Sequence, residues 1–131
     1  MFFDKQVYAG ISIILISSLL PAVVQATSAR LFVKPVNYVG SCPSRFQFSG
    51  IIHSHYAGKV QYRFLRSDNA NTPVQTIVFL RPGEKKVTSS WTLGSEGLPQ
   101  YEGWQMLEVI YPVRIVSNKA RFTIDCRRGG F

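Results

Sequence analysis

Hydrophobic and polar residues alternate along most of the chain after residue 26. In the segment KVQYRFLR, Val60, Tyr62 and Phe64 fall on one side, whereas Gln61 and Arg63 fall on the other. Successive side chains of a β-strand point to opposite faces, so this alternation is typical of half-buried strands. KKVTSSWTL and ARFTIDC alternate in the same way. No later segment has a convincing helical period, which predicts an all-β domain.

Turn-forming residues separate the alternating segments at regular intervals. Gly, Pro, Asn and Asp favour turns for distinct physical reasons, and they cluster between the segments. Several short strands at such spacing, without helices, are typical of a β-sandwich or a small barrel. We favour a seven-stranded antiparallel immunoglobulin-like β-sandwich. The predicted strands lie at about residues 30–39, 44–53, 58–66, 74–81, 84–93, 103–111 and 115–126.

An apolar run at residues 9–26 precedes these strands and is interrupted by Pro21. It is shorter than a full membrane span and ends in small residues, as the apolar region of a signal peptide does. Cleavage is expected after Ala26, with Ala29 as a second candidate; an uncleaved anchor helix is the alternative. The sequence therefore predicts a periplasmic or secreted protein.

The expected organisation is a signal peptide at residues 1–26 followed by one β-sandwich domain at residues 27–131, with its core at about 30–126. The only two cysteines, Cys42 and Cys126, lie near the two ends of that domain. Exported compartments are oxidising, so these cysteines are predicted to form a disulfide. Closing so long a loop constrains the unfolded chain by about 4 kcal/mol on the chain-entropy model.

Five segments together resemble a recurring small module of exported bacterial proteins with an immunoglobulin-like or fibronectin-like β-sandwich. They are CPSRFQFSGII, GKVQYRFLRSDNA, VQTIVFLRPGEKKVTSSWTL, GWQMLEVIYP and SNKARFTIDC, and the match covers about residues 40–126. The resemblance implies the sandwich and supports the disulfide, but it implies no activity and no catalytic residue. Asn69 stands where the pattern has glycine, after Arg-Ser-Asp.

Candidate chemical groups are few. His53 and His55 lie two residues apart and would share one strand face, where two imidazoles are weak candidates for a metal site. A third ligand is not evident, so a surface pair is the favoured interpretation. Asp68 is expected to close an Asx turn rather than to serve as a catalytic acid, since Ser67 lies in no nucleophile-elbow motif. No cofactor is predicted.

Aromatic residues at strand spacing are expected in the core. Four others, Tyr56, Tyr101, Tyr111 and Trp104, lie near predicted loops, where rings can stack on sugars or peptides.

Positive charge is the strongest surface signal, because 15 Lys and Arg against 7 Asp and Glu give a net charge of +8. Such a field attracts polyanions without sequence specificity, although lysines also protect sheet edges from pairing. The residues predicted as an anion-binding set are Lys59, Arg63, Arg66, Lys85 and Lys86.

These features favour an exported, non-enzymatic binding or interaction module of the bacterial periplasm or cell surface, with anionic ligands as a candidate class. The expected partner is a protein, a glycan or a polyanion; sequence-specific nucleic-acid binding and a stable membrane span after cleavage are not expected. Two alternatives stay open. One is a small metal-dependent enzyme or enzyme inhibitor that uses His53 and His55, and the other is a structural subunit that pairs through a strand edge.

Overall fold

The structure, a computed structural model, describes residues 27–127. The predicted signal peptide, its cleavage point after Ala26 and the tail at residues 128–131 lie outside the described residues. Within them the chain forms nine strands and no helix. They are β1 (Thr27–Lys34), β2 (Asn37–Gly40), β3 (Ser44–Ser54), β4 (Gly58–Arg66), β5 (Gln75–Phe79), β6 (Gly83–Leu93), β7 (Gln100–Tyr111), β8 (Ile115–Val116) and β9 (Ala120–Cys126).

Two sheets pack face to face. One has three strands in the order β1-β3-β6, and the other has six, in the order β2-β9-β7-β4-β5 with β8 added to β7. Each sheet turns one face to a shared core and the other outward. Between residues 27 and 127 there is no helix long and apolar enough to cross a membrane.

The strand count is nine rather than the predicted seven, because the first and last predicted strands are each divided. Pro35 interrupts the first, and the chain crosses there from the three-stranded sheet to the six-stranded one. The last is interrupted at Asn118, whose side-chain amide donates to the Leu31 carbonyl (2.8 Å) and whose oxygen accepts from the Leu31 N–H (3.0 Å). Asn118 thus hydrogen-bonds to β1 of the other sheet, and the strand is broken at this residue.

The prediction of a purely antiparallel sandwich was also wrong at one edge. β2 runs parallel to β9, with Asn37 opposite Thr123 and Gly40 opposite Cys126. The other strand pairs are antiparallel. Parallel pairing follows from the crossover at Pro35, which brings the chain into the second sheet without a hairpin.

Phe122 on β9 lies at the centre of the core. Its ring contacts Phe46 (centroids 4.3 Å apart) and Phe48 from the three-stranded sheet, and Trp91 and Tyr101 on its other sides. The strand faces predicted from the alternation are confirmed, because the inward residues of β4, β6 and β9 are the buried ones. The two sheets are therefore joined through an aromatic cluster.

The predicted disulfide is present and links Cys42 to Cys126, with their Cα atoms 5.5 Å apart. It connects the loop after β2 to the end of β9. Gly94 lies directly against it at a φ of 102°, and a Cβ there would approach both sulfur atoms to 2.8 Å. A glycine is needed here both for the backbone conformation and for space.

Replacing Cys42 by Ser should lower the free energy of unfolding by about 2–5 kcal/mol, because the unfolded chain is released from a long closed loop. Urea unfolding of the oxidised protein measures this loss. The double replacement of Cys42 and Cys126 by Ser should cost no more than the single one. A much larger loss in the double variant would mean that the two side chains contribute separately.

One core position is polar. Gln105 on β7 is completely buried, and neither atom of its side-chain amide has a hydrogen-bond partner among the described residues. Burying an unpaired amide costs free energy, so Gln105→Leu should raise the free energy of unfolding by about 1–2 kcal/mol. Gln100→Leu, an exposed change on the same strand, is the control and should leave stability nearly unchanged. Destabilisation by Gln105→Leu would contradict this account.

Candidate ligand-binding surface

The five cations predicted to bind anions do not share one surface. Lys59 and Arg63 point outward from β4 on the six-stranded sheet, whereas Arg66 lies on the opposite side of that strand. Lys85 and Lys86 are on β6 in the other sheet. Anion binding by these residues stays a prediction, but they cannot form a single site together.

Arg63 is committed to a buried carboxylate. Its Nε donates to Glu108 Oε1 at 2.7 Å, and Arg114 Nε donates to Glu108 Oε2 at 2.7 Å. The Glu108 side chain is only 7% exposed. Burial raises the pKa of this carboxyl, but the hydrogen bonds from Arg63 and Arg114 outweigh it, so the pKa is lowered overall. Arg63 therefore holds a structural ion pair.

Arg66 is similarly occupied. Its Nε and Nη2 donate to the two carboxylate oxygens of Asp68 (3.0 and 2.6 Å), and its guanidinium lies 4.0 Å from the centre of the Trp91 ring. The hydrogen bond from Arg66 lowers the pKa of Asp68. The predicted Asx turn is confirmed, since Asp68 Oδ1 accepts from the Ala70 N–H, and Asn69 adopts the left-handed conformation at φ 66°.

The two predicted lysines nearest to aromatic rings are exposed. Lys59 Nζ lies 4.9 Å from the centre of the Tyr111 ring, and Lys85 Nζ lies 5.7 Å from that of Phe79. Such cation–π contacts at the surface contribute roughly 0.5–1 kcal/mol each. The ammonium groups of these lysines therefore remain accessible to solvent while each contacts an aromatic ring.

A different group of cations shares a face. Across the three-stranded sheet, Arg30 of β1, Ile51 of β3 and Lys86 of β6 lie side by side in register. Lys34 follows four residues after Arg30 on the same side of β1, and Arg45 lies on the same side of β3 as Ile51. All of these point away from the core. We call Arg30, Lys34, Arg45 and Lys86, which are all exposed, the cationic face.

The cationic face has one carboxylate at its margin. Glu84 lies 3.7 Å from Arg30, in an exposed pair of the kind that contributes little. Lys34, Arg45 and Lys86 have no ion-pair partner among residues 27–127. Strand geometry places the Cα atom of Arg30 about 13 Å from that of Lys34 along β1 and about 10 Å from that of Lys86 across the sheet. The face is therefore a spaced array of positive charge.

Phe32 lies in the middle of this array, between Arg30 and Lys34 on β1, and is 53% exposed. Its neighbours in register are Ser49 and then Thr88, which point to the same side. Hydroxyl and amide groups occupy most of the remaining outward positions: Ser28, Gln47, Ser90 and Thr92. The surface thus combines separated cations, one accessible ring and many hydrogen-bonding groups.

Sequence reasoning missed three of these four cations, although the same alternation contained the signal. Arg30 lies one residue before buried Leu31 and Lys34 three residues after it, so both point to the opposite side of the strand. Arg45 directly precedes buried Phe46. Their outward direction could be predicted. Their proximity depends on the β1–β3–β6 register, which no local pattern specifies.

The histidine pair lies at one end of this sheet. His53 is opposite Glu84 on β6, and its ring meets that of His55 edge-on with centroids 4.8 Å apart. Within the described part of the chain, no group of three or more His, Cys, Asp and Glu residues is placed to hold a metal ion. The two residues form a surface contact in this structure.

The four aromatic residues noted near loops have different environments. Tyr56 is exposed, and Tyr111 lies under Lys59. Tyr101 points inward, where its hydroxyl is 3.0 Å from Ser67 Oγ and its ring packs on Trp91. Trp104 is half-buried, with Lys119 Nζ 4.6 Å from the ring centre.

Comparisons with known proteins agree with this architecture. No family model and no curated protein matches the chain. Among solved structures, the CARDB domain of a Pyrococcus furiosus protein, in complex with di-metal ions, matches with a TM-score of 0.58 and 11% identity, over 81% of this chain and 100% of that one. The chain has the β-sandwich fold of that domain. At such identity the likeness shows the fold alone.

A second solved structure, a β-glucosidase from Erythrobacter marinus, matches 75% of this chain with a TM-score of 0.54 and 10% identity. The chain spans only 15% of the length of that enzyme. Both matches support the predicted β-sandwich fold.

The ion pair at Glu108 predicts a pH-dependent contribution to stability. Glu108→Gln should lower the free energy of unfolding by about 1–3 kcal/mol near pH 7, because charged hydrogen bonds to two arginines are weakened. The folded-state pKa is lowered, so this contribution is present above the ordinary carboxyl pKa of about 4.5 and is lost as pH falls through the folded value. The difference between wild type and variant should therefore shrink in acid.

Glu84→Gln is the matched control, since it removes an exposed carboxylate that pairs with an arginine at 3.7 Å. It should change the free energy of unfolding by less than about 1 kcal/mol. Chemical unfolding at pH 7 and at pH 3 measures both variants. A Glu108→Gln effect that was the same at both pH values would contradict the assignment of an ionised, paired Glu108.

Proposed function

We propose that the protein is an exported, non-enzymatic binding module that holds an anionic glycan on the cationic face. Export is supported by the apolar run at residues 9–26 and by the disulfide between Cys42 and Cys126, since disulfides persist mainly in oxidising compartments. The proposed location is the bacterial periplasm or cell surface.

The observation that carries the ligand class is the arrangement of four exposed cations on the outer face of one sheet. Arg63 and Arg66, which looked equally suitable in the sequence, have carboxylate partners. Within residues 27–127, Lys34, Arg45 and Lys86 have no ion-pair partner. Separated charges of one sign suit a polymer with repeated anionic groups better than a single small anion. An extended strand of such a polymer would contact several cations at once.

A glycan is favoured over other polyanions because the cations are interleaved with Phe32 and with hydroxyl-bearing side chains. An exposed ring offers an apolar surface to a sugar, and the hydroxyls of Ser49 and Thr88 offer hydrogen bonds to its polar groups. The proposed roles are therefore charge attraction by the four cations, stacking by Phe32 and local hydrogen bonding by its neighbours.

A test uses fluorescently labelled heparin oligosaccharide as the probe and neutral dextran oligosaccharide as the reference. Lys34→Glu combined with Arg45→Glu should weaken heparin binding by about tenfold or more and reduce its dependence on salt, because fewer counterions are released. The matched control, Lys59→Glu with Arg121→Glu, makes the same change in net charge on the outer face of the other sheet.

Equal losses in the two double variants would mean that net charge alone attracts the polymer and would overturn the assigned surface. Phe32→Ser separates stacking from charge: it should weaken binding while leaving the salt dependence unchanged. Duplex DNA that bound as tightly as heparin, with no effect of Phe32→Ser, would overturn the choice of a glycan.

A further inference from the structure

Two turns lie side by side at one end of the sandwich. They are residues 55–57, which join β3 to β4, and residues 80–82, which join β5 to β6. β3 is paired with β6, and β4 with β5, up to the residues that flank these turns. Each turn crosses from one sheet to the other between the same two pairs of strands, so the two turns are neighbours.

A third turn lies at the same end. Residues 112–114 follow β7, whose last residue, Tyr111, pairs with Gln61 near the start of β4. β1 also begins here, because its first residue, Thr27, pairs with Ser54 at the end of β3. The chain therefore enters the described domain at this end. We call residues 55–57, 80–82 and 112–114 the turn end.

Each of the three turns exposes one large apolar or aromatic side chain. They are Tyr56 (67% exposed), Leu80 (89%) and Val113 (62%). Leu80 is the most exposed large hydrophobic residue between residues 27 and 127. Single exposed apolar residues are common on protein surfaces, but several on neighbouring turns indicate a surface that another apolar phase or partner covers.

Positive charge accompanies these side chains. Arg81 directly follows Leu80, and Lys59 and Lys85 lie on the strands next to the turns. None of these three cations has an ion-pair partner within residues 27–127. The carboxylate of Glu84 also lies at this end, in the exposed ion pair described above. The turn end thus combines projecting apolar groups with an excess of positive charge.

Carboxylates are more numerous at the opposite end of the sandwich. The acidic residues in or beside the turns there are Asp68, Glu96 and Asp125. Asp68 and Asp125 pair with neighbouring arginines, at 2.6 and 3.1 Å. An anionic surface would therefore meet carboxylates at that end but mainly cations at the turn end.

We propose that the turn end docks on the surface of a membrane that contains anionic phospholipids. Side chains that project from turns can enter the interface of a bilayer, where the apolar atoms of Leu80 and Val113 leave water. The ring of Tyr56 suits the same depth, because its hydroxyl can stay among the headgroups. The ammonium and guanidinium groups of Lys59, Arg81 and Lys85 are then attracted to lipid phosphates.

The position of β1 supports a membrane over a protein partner. The apolar run at residues 9–26 ends directly before Thr27, so no residue separates it from β1. In any form of the chain that keeps this run in a membrane, the turn end lies next to the bilayer. After cleavage, the same apolar and cationic side chains provide a reversible contact with that surface.

Binding of the exported, oxidised protein to lipid vesicles tests the docking. Vesicles of phosphatidylglycerol and phosphatidylcholine in equal parts are the anionic surface, and vesicles of phosphatidylcholine alone are the neutral reference. Wild type should bind the anionic vesicles more tightly. Leu80→Ser combined with Arg81→Glu should weaken this binding by at least about tenfold, because apolar transfer and charge attraction are both lost.

The matched control is Leu98→Ser combined with Arg45→Glu, which makes the same chemical changes at the opposite end of the sandwich. All four side chains are exposed, so thermal unfolding should confirm that both variants stay folded. The control should keep its binding to vesicles while losing affinity for heparin, since Arg45 belongs to the cationic face. Wild-type protein that bound heparin but not anionic vesicles would overturn the docking and leave the proposed function standing.

A tryptophan reporter tests the orientation whether or not residues 1–26 have been removed. With Leu80→Trp, anionic vesicles that contain brominated phospholipid should quench the added fluorescence, measured as the difference from wild type with its Trp91 and Trp104. Leu98→Trp, the control at the opposite end, should not be quenched. Equal quenching of the two reporters, or quenching at residue 98 alone, would overturn the proposal, as would a protein held on vesicles with neither reporter quenched.

Discussion

The contact between Phe122 and Phe46 holds the two sheets together, and the rest of the structure depends on it. Phe122 also touches Phe48, Trp91 and Tyr101, so one ring joins β9 to strands of both sheets. Aromatic pairs of this kind add to the large area that each ring buries. The disulfide strengthens the same region, because Cys126 ends the strand that carries Phe122.

Once the inward side of each strand is fixed by this core, the outward side is fixed as well. Every second residue of a strand faces solvent, so the charged side chains of the strands lie on the outer faces of the two sheets. On the six-stranded sheet, the buried carboxylate of Glu108 binds Arg63 and Arg114, so much of its positive charge is balanced. On the three-stranded sheet, Glu84 is the sole carboxylate within β1, β3 and β6, which leaves the cationic face largely uncompensated.

The structural features that depend on a local sequence pattern were predicted correctly. Alternation gave the buried faces of β4, β6 and β9, and the two cysteines and Asp68 behave as predicted. Local patterns could not show that the chain changes sheets at Pro35, because a single proline is compatible with a bent edge strand too. Nor could they show that Asn118 binds Leu31, which lies 87 residues away.

Local patterns do not show contacts between residues that are distant in the chain, which explains why the predicted anion-binding residues lie on different surfaces of the two sheets. The outward direction of Arg63 followed from alternation, but its partner Glu108 is 45 residues distant in the chain. Arg66 was assigned to the surface, yet it lies over Trp91, which the tertiary packing alone brings near. The cationic face needs the register of three strands, and register is set by packing against the other sheet.

The most direct test of the central claim is an NMR titration of isotopically labelled protein with a short heparin oligosaccharide. The account predicts that the largest chemical-shift changes occur in one contiguous patch on β1, β3 and β6, centred on Phe32 and bounded by Arg30, Lys34, Arg45 and Lys86. Changes centred instead on the outer face of the six-stranded sheet, around Lys59 and Arg121, or spread evenly over both sheets, would contradict it.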